Sequence, residues 1–189
     1  MAGELHDFLA RDHERLDELL RRCVKRDGTI DREPYERFRE GLLRHIAIEE
    51  RILFPLARHS ERSEESGGGP ARRGTAQTPR FLATLGMTVQ QLHRDHAALA
   101  ALLVPPPTPA EIERIIEILQ PHNELEEVAD GLYEAVEAIA GADISALMTR
   151  VRATPPVALA PHADTEVTRR SIEQLVREAE DGRRALLGN

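Results

Sequence analysis

The chain has 189 residues and a mass of 21.1 kDa, enough for one hydrophobic core and short for two, which predicts a single domain with appendages. Its one cysteine, Cys23, excludes an intramolecular disulfide, a tetrathiolate zinc site and an iron–sulfur cluster, and fits a reducing cytoplasm. A formal net charge of -8 with no dense basic stripe argues against nucleic acid as a partner, and aromatics at 3% with no tryptophan argue for packed helices over a sandwich or barrel.

The opening segment, MAGELHDFLARDHERL, carries acids and histidines where an export signal would carry basic residues and then an apolar run. The longest apolar stretch, Ala97 to Val104, is far below the roughly 20 residues that span a bilayer, so a soluble cytoplasmic protein with no membrane partner is expected. Four segments then place apolar residues alternately three and four apart, the spacing of one helix face. The first runs from about Glu4 to Lys25 through Leu5, Leu9, Leu16 and Leu20. The second follows the cap-like Asp31 and carries Tyr35, Phe38, Leu42, Ile52 and Leu56, with Pro55 near its end. The third begins near Met87 with Val89, Leu92, Leu99 and Leu103, and stops at VPPPTP. The fourth starts at Pro109 and is read as one helix through Ile112, Ile115, Leu119, Ala129, Tyr133 and Val136, with Pro121 expected to kink or break it. The predicted fold is all-α, an up-down antiparallel four-helix bundle with an extra C-terminal helix.

Six stripe positions that call for leucine hold His13, His45, Glu49, His96, His122 and Glu126 instead. Burying such groups without partners would cost a few kcal/mol each, so something must satisfy them together. The chain also repeats: RDHERLDELL in the first helix matches RDHAALAALL in the third, and HIAIEE in the second matches HNELEE in the fourth. Each helix pair supplies one histidine and one His-x-x-x-Glu, and an antiparallel bundle brings three ligands from each half to a shared centre. Residues four apart on a helix lie about 40° apart around the axis and about 6 Å along it, close enough to chelate one ion. Imidazole and carboxylate without thiolate select iron or manganese first, zinc next and copper last, and two half-sites suggest two metals.

Asp12 and Asp95, each preceding a histidine, are expected to accept from a ligand's ring nitrogen or to lie at the surface. His6 falls about 10 Å along the helix from His13, too far for the same ion, and is expected at the end of the bundle. His93 lies about 60° around the helix from His96, which leaves open a seventh-ligand role or an edge position. His59, His162 and Cys23 are given no site role.

Between the halves, residues 58–86 are rich in Ser, Gly, Arg and Thr and read as a long flexible insert. Its HSERSEES start and LGMT end resemble a translated genomic repeat found inside unrelated reading frames, which implies a late insertion; an ordinary regulatory loop is the other reading. The bundle is assigned to residues 1–141. The C-terminal extension, 142–189, has a proline-rich linker and a weakly apolar helix from Glu166 to Leu187, which either lies on the bundle or joins two copies, so a monomer or a homodimer is expected.

The set DH at 12–13, HIAIEERILFP at 45–55, DHAALAALL at 95–103 and HNELEE at 122–127 resembles the bacterial hemerythrin-like, HHE cation-binding domains over about Leu5 to Ala140. The resemblance implies a non-haem di-iron centre with His13, His45, Glu49, His96, His122 and Glu126 as metal ligands and Glu49 and Glu126 bridging two iron ions. Dioxygen or a related small molecule would approach at an open coordination position. Oxygen-carrying hemerythrins use a histidine pair four apart on the third helix and a carboxylate five beyond the last histidine. Here His93 and His96 are three apart and Glu126 is four beyond His122, so six ligands match instead of seven, which favours redox turnover or metal release over reversible carriage; the leading reading is a di-iron protein that binds or senses dioxygen or holds iron. Nothing besides this set offers a nucleophile or a phosphate loop, so an enzyme reading, acting on peroxide, nitric oxide or dioxygen, must be metal-centred. A metal-stapled interaction module is the third reading.

Overall fold

The structure, a computed structural model, describes residues 3–58 and 79–188. Among these residues the regular structure is helical, with one isolated antiparallel bridge between Val24 and Ile30 in the first turn. Four helices form the bundle: α1 (Glu4–Cys23), α2 (Arg32–Ile48), α3 (Pro79–Leu102) and α4 (Pro109–Glu127). Three shorter or later helices follow, α5 (Leu132–Ala140), α6 (Ile144–Arg152) and α7 (Glu166–Leu187). No helix among the described residues is long and apolar enough to cross a membrane.

The local signals act as expected at the helix starts. Asp31 accepts from the backbone N–H of Glu33, and Thr108 accepts from that of Glu111 with Pro109 in the first turn of α4. The predicted stripes are the buried ones: α1 buries Leu5, Leu9, His13, Leu16, Leu20 and Cys23. The apolar core divides into two clusters. One gathers Leu16, Leu20, Phe38, Leu42, Leu99, Ile115 and Leu119, and the other Leu5, Leu9, Ile52, Leu92, Leu132 and Val136. The six polar stripe positions fall between them along every helix, so the apolar clusters wall a polar layer on both sides.

Four details differ from the sequence reading. The second helix passes through a π-helical turn, Glu49–Leu53, before its last residues; Pro55 has no N–H to return to Arg51, which removes an α-type bond there. The third helix starts at Pro79 rather than near Met87, and Leu85 is buried in the core, so the end of the predicted insert is part of the bundle. The rest of that insert, with His59, lies outside the described residues. The fourth helix runs unbroken through Pro121, which sits in its interior, and ends at Glu127. Val128 is extended and Asp130 has a φ of 64°, so Ala129 is exposed and Tyr133 belongs to a separate helix, α5. Gly131 opens α5, and a Cβ there would meet the carbonyl oxygens of Val128 at 2.7 Å and Glu126 at 2.8 Å.

The C-terminal helix packs along α3 and buries Ile172, Val176 and Ala179 in the first apolar cluster, while Val167 is exposed. His162 pins the linker: one ring nitrogen lies 3.2 Å from the Val104 carbonyl and the other 2.7 Å from Glu36. Cys23 is fully buried, its thiol donating to the Leu19 carbonyl at 3.1 Å.

Candidate metal centre

All six polar stripe residues meet in the layer between the two apolar clusters, and all are nearly or completely buried. Their donor atoms form two groups, His13, His45, Glu49 and Glu126 on one side and Glu49, His96, His122 and Glu126 on the other, with the atoms of each group within 4.8 Å of one another. Both carboxylates belong to both groups. Glu49 turns Oε1 to His45 Nε2 and Oε2 to His96 Nε2, each at 3.1 Å. Glu126 turns Oε2 to His13 Nε2 at 3.4 Å and Oε1 to His122 Nε2 at 3.3 Å. Each carboxylate therefore presents one oxygen to each half.

The four imidazoles share one orientation, with Nε2 toward the centre and Nδ1 toward an outer carboxylate. His45 Nδ1 lies 3.1 Å from Asp12, His96 Nδ1 2.8 Å from Glu50 and His122 Nδ1 3.5 Å from Asp95, while His13 Nδ1 pairs with Glu127. An outer carboxylate that accepts a hydrogen bond from Nδ1–H fixes the tautomer, leaves the Nε2 lone pair free for a cation and holds the ring plane. The repeat governs these partners as well: Asp12 and Asp95 serve the next helix of their own half, and Glu50 and Glu127 serve the first helix of the other half.

Asp12 pairs with a ring nitrogen as anticipated, whereas Asp95 lies 3.5 Å behind His122 without a hydrogen bond to it; Glu50 and Glu127 carry no role in the sequence reading. Their signal was present, since both halves end in a Glu-Glu doublet, IEE and LEE, of which only the first glutamate was used. Tyr133 gave no signal, because a tyrosine on an apolar stripe reads as core. Its ring is fully buried, and Oη lies 2.8 Å from Glu49 Oε1 and 3.0 Å from Glu126 Oε2. His93 stands apart from both groups, 2.7 Å from Glu50, and so braces the partner of His96. His6 accompanies the backbone carbonyl of Glu127 at 3.1 Å, at the end of the layer.

Asp95 has further support. Its Oδ1 accepts from Gln91 on its own helix and from Arg183 on α7, each at 2.8 Å, and Gln91 also donates to the Ala179 carbonyl of α7 at 2.8 Å. In the other half, Asp12 takes the same charge from Arg15, three residues along α1, at 2.8 Å. The position matching Arg15 in the repeat is Ala98, fully buried, so α7 occupies the space and returns the guanidinium from elsewhere.

Without metal the electrostatics are those of crowded like charges. Burial drives Glu126 well above the usual carboxylate range, and the neighbouring Glu49 charge adds to it. Burial opposes ionisation of Glu49 too, but His45 and His96 outweigh it and hold Glu49 well below that range. Two carboxylates this close keep one proton between them. Burial alone would lower His45, yet Glu49 and Asp12 raise it to about 9. Burial, with no equal compensation, pushes His122 down to about 4. Burial also carries the Tyr133 phenol well above its usual range, so it is neutral.

Glu49 Oε2, His96 Nε2 and Glu126 Oε1 are buried without a hydrogen-bond partner, a costly state for three converging atoms, and so are His122 Nδ1 and Asp95 Oδ2 on the outer side. A cation bound by the inward lone pairs satisfies all three at once, and an N/O donor set of this kind fits iron or manganese ahead of zinc. A cavity of about 650 Å³ between α1 and α4 reaches His13 and Glu127, with Glu14, Asp17 and Glu124 along it. Residues 4–136 match the family model described as the hemerythrin HHE cation-binding domain. No curated protein and no solved structure matches the chain. The family match covers well over half of the chain and takes in every one of the six converging residues, and the chain belongs to the hemerythrin HHE cation-binding domain family.

Proposed function

We propose that the chain is a non-haem di-iron protein that binds or senses dioxygen, or a related small molecule, at a centre bridged by two carboxylates. The observation that supports this most strongly is the division of each carboxylate, one oxygen toward the imidazoles of each half. His13 and His45 would hold one ion, His96 and His122 the other, and Glu49 and Glu126 both. Two irons held in such a set would supply a redox couple suited to dioxygen chemistry.

The protein's own part is orientation, exclusion of water and management of protons. Asp12, Glu50 and Glu127 fix the rings of His45, His96 and His13 and keep their Nε2 atoms inward, and Asp95 stands 3.5 Å behind His122. The two apolar clusters close the layer from both ends of the bundle. The proton held between Glu49 and Glu126 leaves when cations bind, so loading is favoured as pH rises. The acidic cavity between α1 and α4 offers cations an approach that ends at His13. His93, committed to Glu50, leaves the second half with two imidazoles and the two shared carboxylates, which favours exchange of a small molecule there over a saturated, inert ion.

Iron analysis with absorption spectroscopy tests this reading. Protein loaded anaerobically with ferrous iron is expected to hold close to two irons per chain and to gain near-ultraviolet absorption on exposure to air. One tightly held zinc with no uptake of iron would contradict it.

A further inference from the structure

We propose that Tyr133 is a fifth protein ligand, as a phenolate, to the ion held by His13 and His45, which makes the two halves of the centre chemically unequal. The proposal rests on the di-iron reading above. Tyr133 Oη lies 3.2 Å from His13 Nε2, 3.3 Å from His45 Nε2, 2.8 Å from Glu49 Oε1 and 3.0 Å from Glu126 Oε2. These are the four residues of the first donor group and no others.

The spacings, from 2.8 to 3.4 Å, are close to those of neighbouring ligands around one ion. Donors bound at about 2.0–2.2 Å and at right angles stand about 2.8–3.1 Å from each other. The two Nε2 atoms of His13 and His45 are 2.9 Å apart, and the carboxylate oxygens stand 3.1 Å from His45 and 3.4 Å from His13. The phenol oxygen lies 2.8 to 3.3 Å from all four donors and would be within reach of an ion held by them.

The ring cannot turn away when an ion enters. It is fully buried among Leu132, Val136 and the edge of His6, whose centroid lies 6.1 Å away, and Gly131 sets the tight turn that aims it. Binding breaks the O–H bond and forms an oxygen–metal bond; the proton passes to solvent and no electron moves.

The other half has no counterpart. Tyr133 stands seven residues after Glu126, and seven residues after Glu49 the repeat places Leu56, which carries no donor. Only one other tyrosine exists, Tyr35, and it belongs to the opposite apolar cluster. An anionic oxygen donor favours ferric iron in the first half and leaves the more open coordination to the second.

The test compares the native chain, Tyr133→Phe and Tyr35→Phe after anaerobic ferrous loading and exposure to air, with iron content and visible absorption read on the same samples. The native chain and Tyr35→Phe are expected to show a visible phenolate-to-ferric charge-transfer band, with tyrosinate ring modes enhanced in resonance Raman spectra. Tyr133→Phe is expected to lose the band while still holding iron in the second half. Two irons per chain without that band, or the same band in Tyr133→Phe, would overturn the proposal and leave the di-iron reading standing. A chain that takes up no iron would overturn both.

Discussion

A carboxylate shared between two ions should fail differently from a histidine that serves one. Glu49→Ala and Glu126→Ala each remove an oxygen from both donor groups, whereas His13→Ala removes one nitrogen from the first group alone. Iron analysis of the three variants is expected to show occupancy of both positions lowered by either glutamate change, and roughly one iron retained by His13→Ala. Equal loss in all three would leave bridging without support. The six residues could be found in the sequence because each breaks a leucine stripe and the breaks recur in both halves. Glu50, Glu127 and Tyr133 were hidden for different physical reasons. Charged residues beside a stripe read as solvated, and a phenol that packs its ring among leucines differs from core only in where its oxygen points.

Helix ends and helix irregularities decide how those side chains are aimed. The π-helical turn at Glu49–Leu53 begins at a carboxylate of the centre, and the break after Glu127 detaches Tyr133 from α4 so that its phenol returns to the same centre. Periodicity predicts a continuous helix in both places, because the apolar spacing survives an extra residue or a short turn; only the lack of an N–H at Pro55 and the glycine at 131 hint otherwise. Helix α7 is the clearest case of function beyond the stripe. Weak apolar character marked it as an appendage, yet its Arg183 braces Asp95, the partner of His122. Arg183→Ala is expected to weaken binding in the second half by about 10- to 100-fold, with the first half retained and Arg183→Lys partly restoring it, as read by metal titration. A variant that binds both ions with native affinity would reduce the α7 contact to packing.

Stability of the whole bundle should depend on metal and pH together. Without metal, His45 has its folded pKa raised to about 9, so its contribution is complete below about 6.5 and is lost as pH rises toward 9. Glu126, protonated in the fold and raised well above its ordinary value, loses stability in the same direction. The metal-bound chain carries neither proton, and loading adds on the order of 3–4 kcal/mol per site when metal exceeds its dissociation constant by a hundred- to a thousandfold. The gap in Tm between loaded and metal-free protein is therefore expected to widen from pH 6.5 to 9, with helical circular dichroism largely kept in both. A gap that stays constant or narrows would show that the buried protons and the metal do not compete. At this scale the sequence reading of four helices, a repeated pair and a fifth helix carries through because each bundle helix repeats its apolar spacing over several turns. The docking of α7 on the bundle was one of its two readings, and what it missed lay at the start of α3 and at the break after α4.

The central claim is that two pairs of imidazoles face each other across two shared carboxylates, and anomalous scattering at the iron edge from crystals of the iron-loaded protein tests it most directly. Two peaks are predicted, one between His13 and His45 and the other between His96 and His122, with Glu49 and Glu126 touching both. A single peak, or iron located away from these residues, would contradict the account.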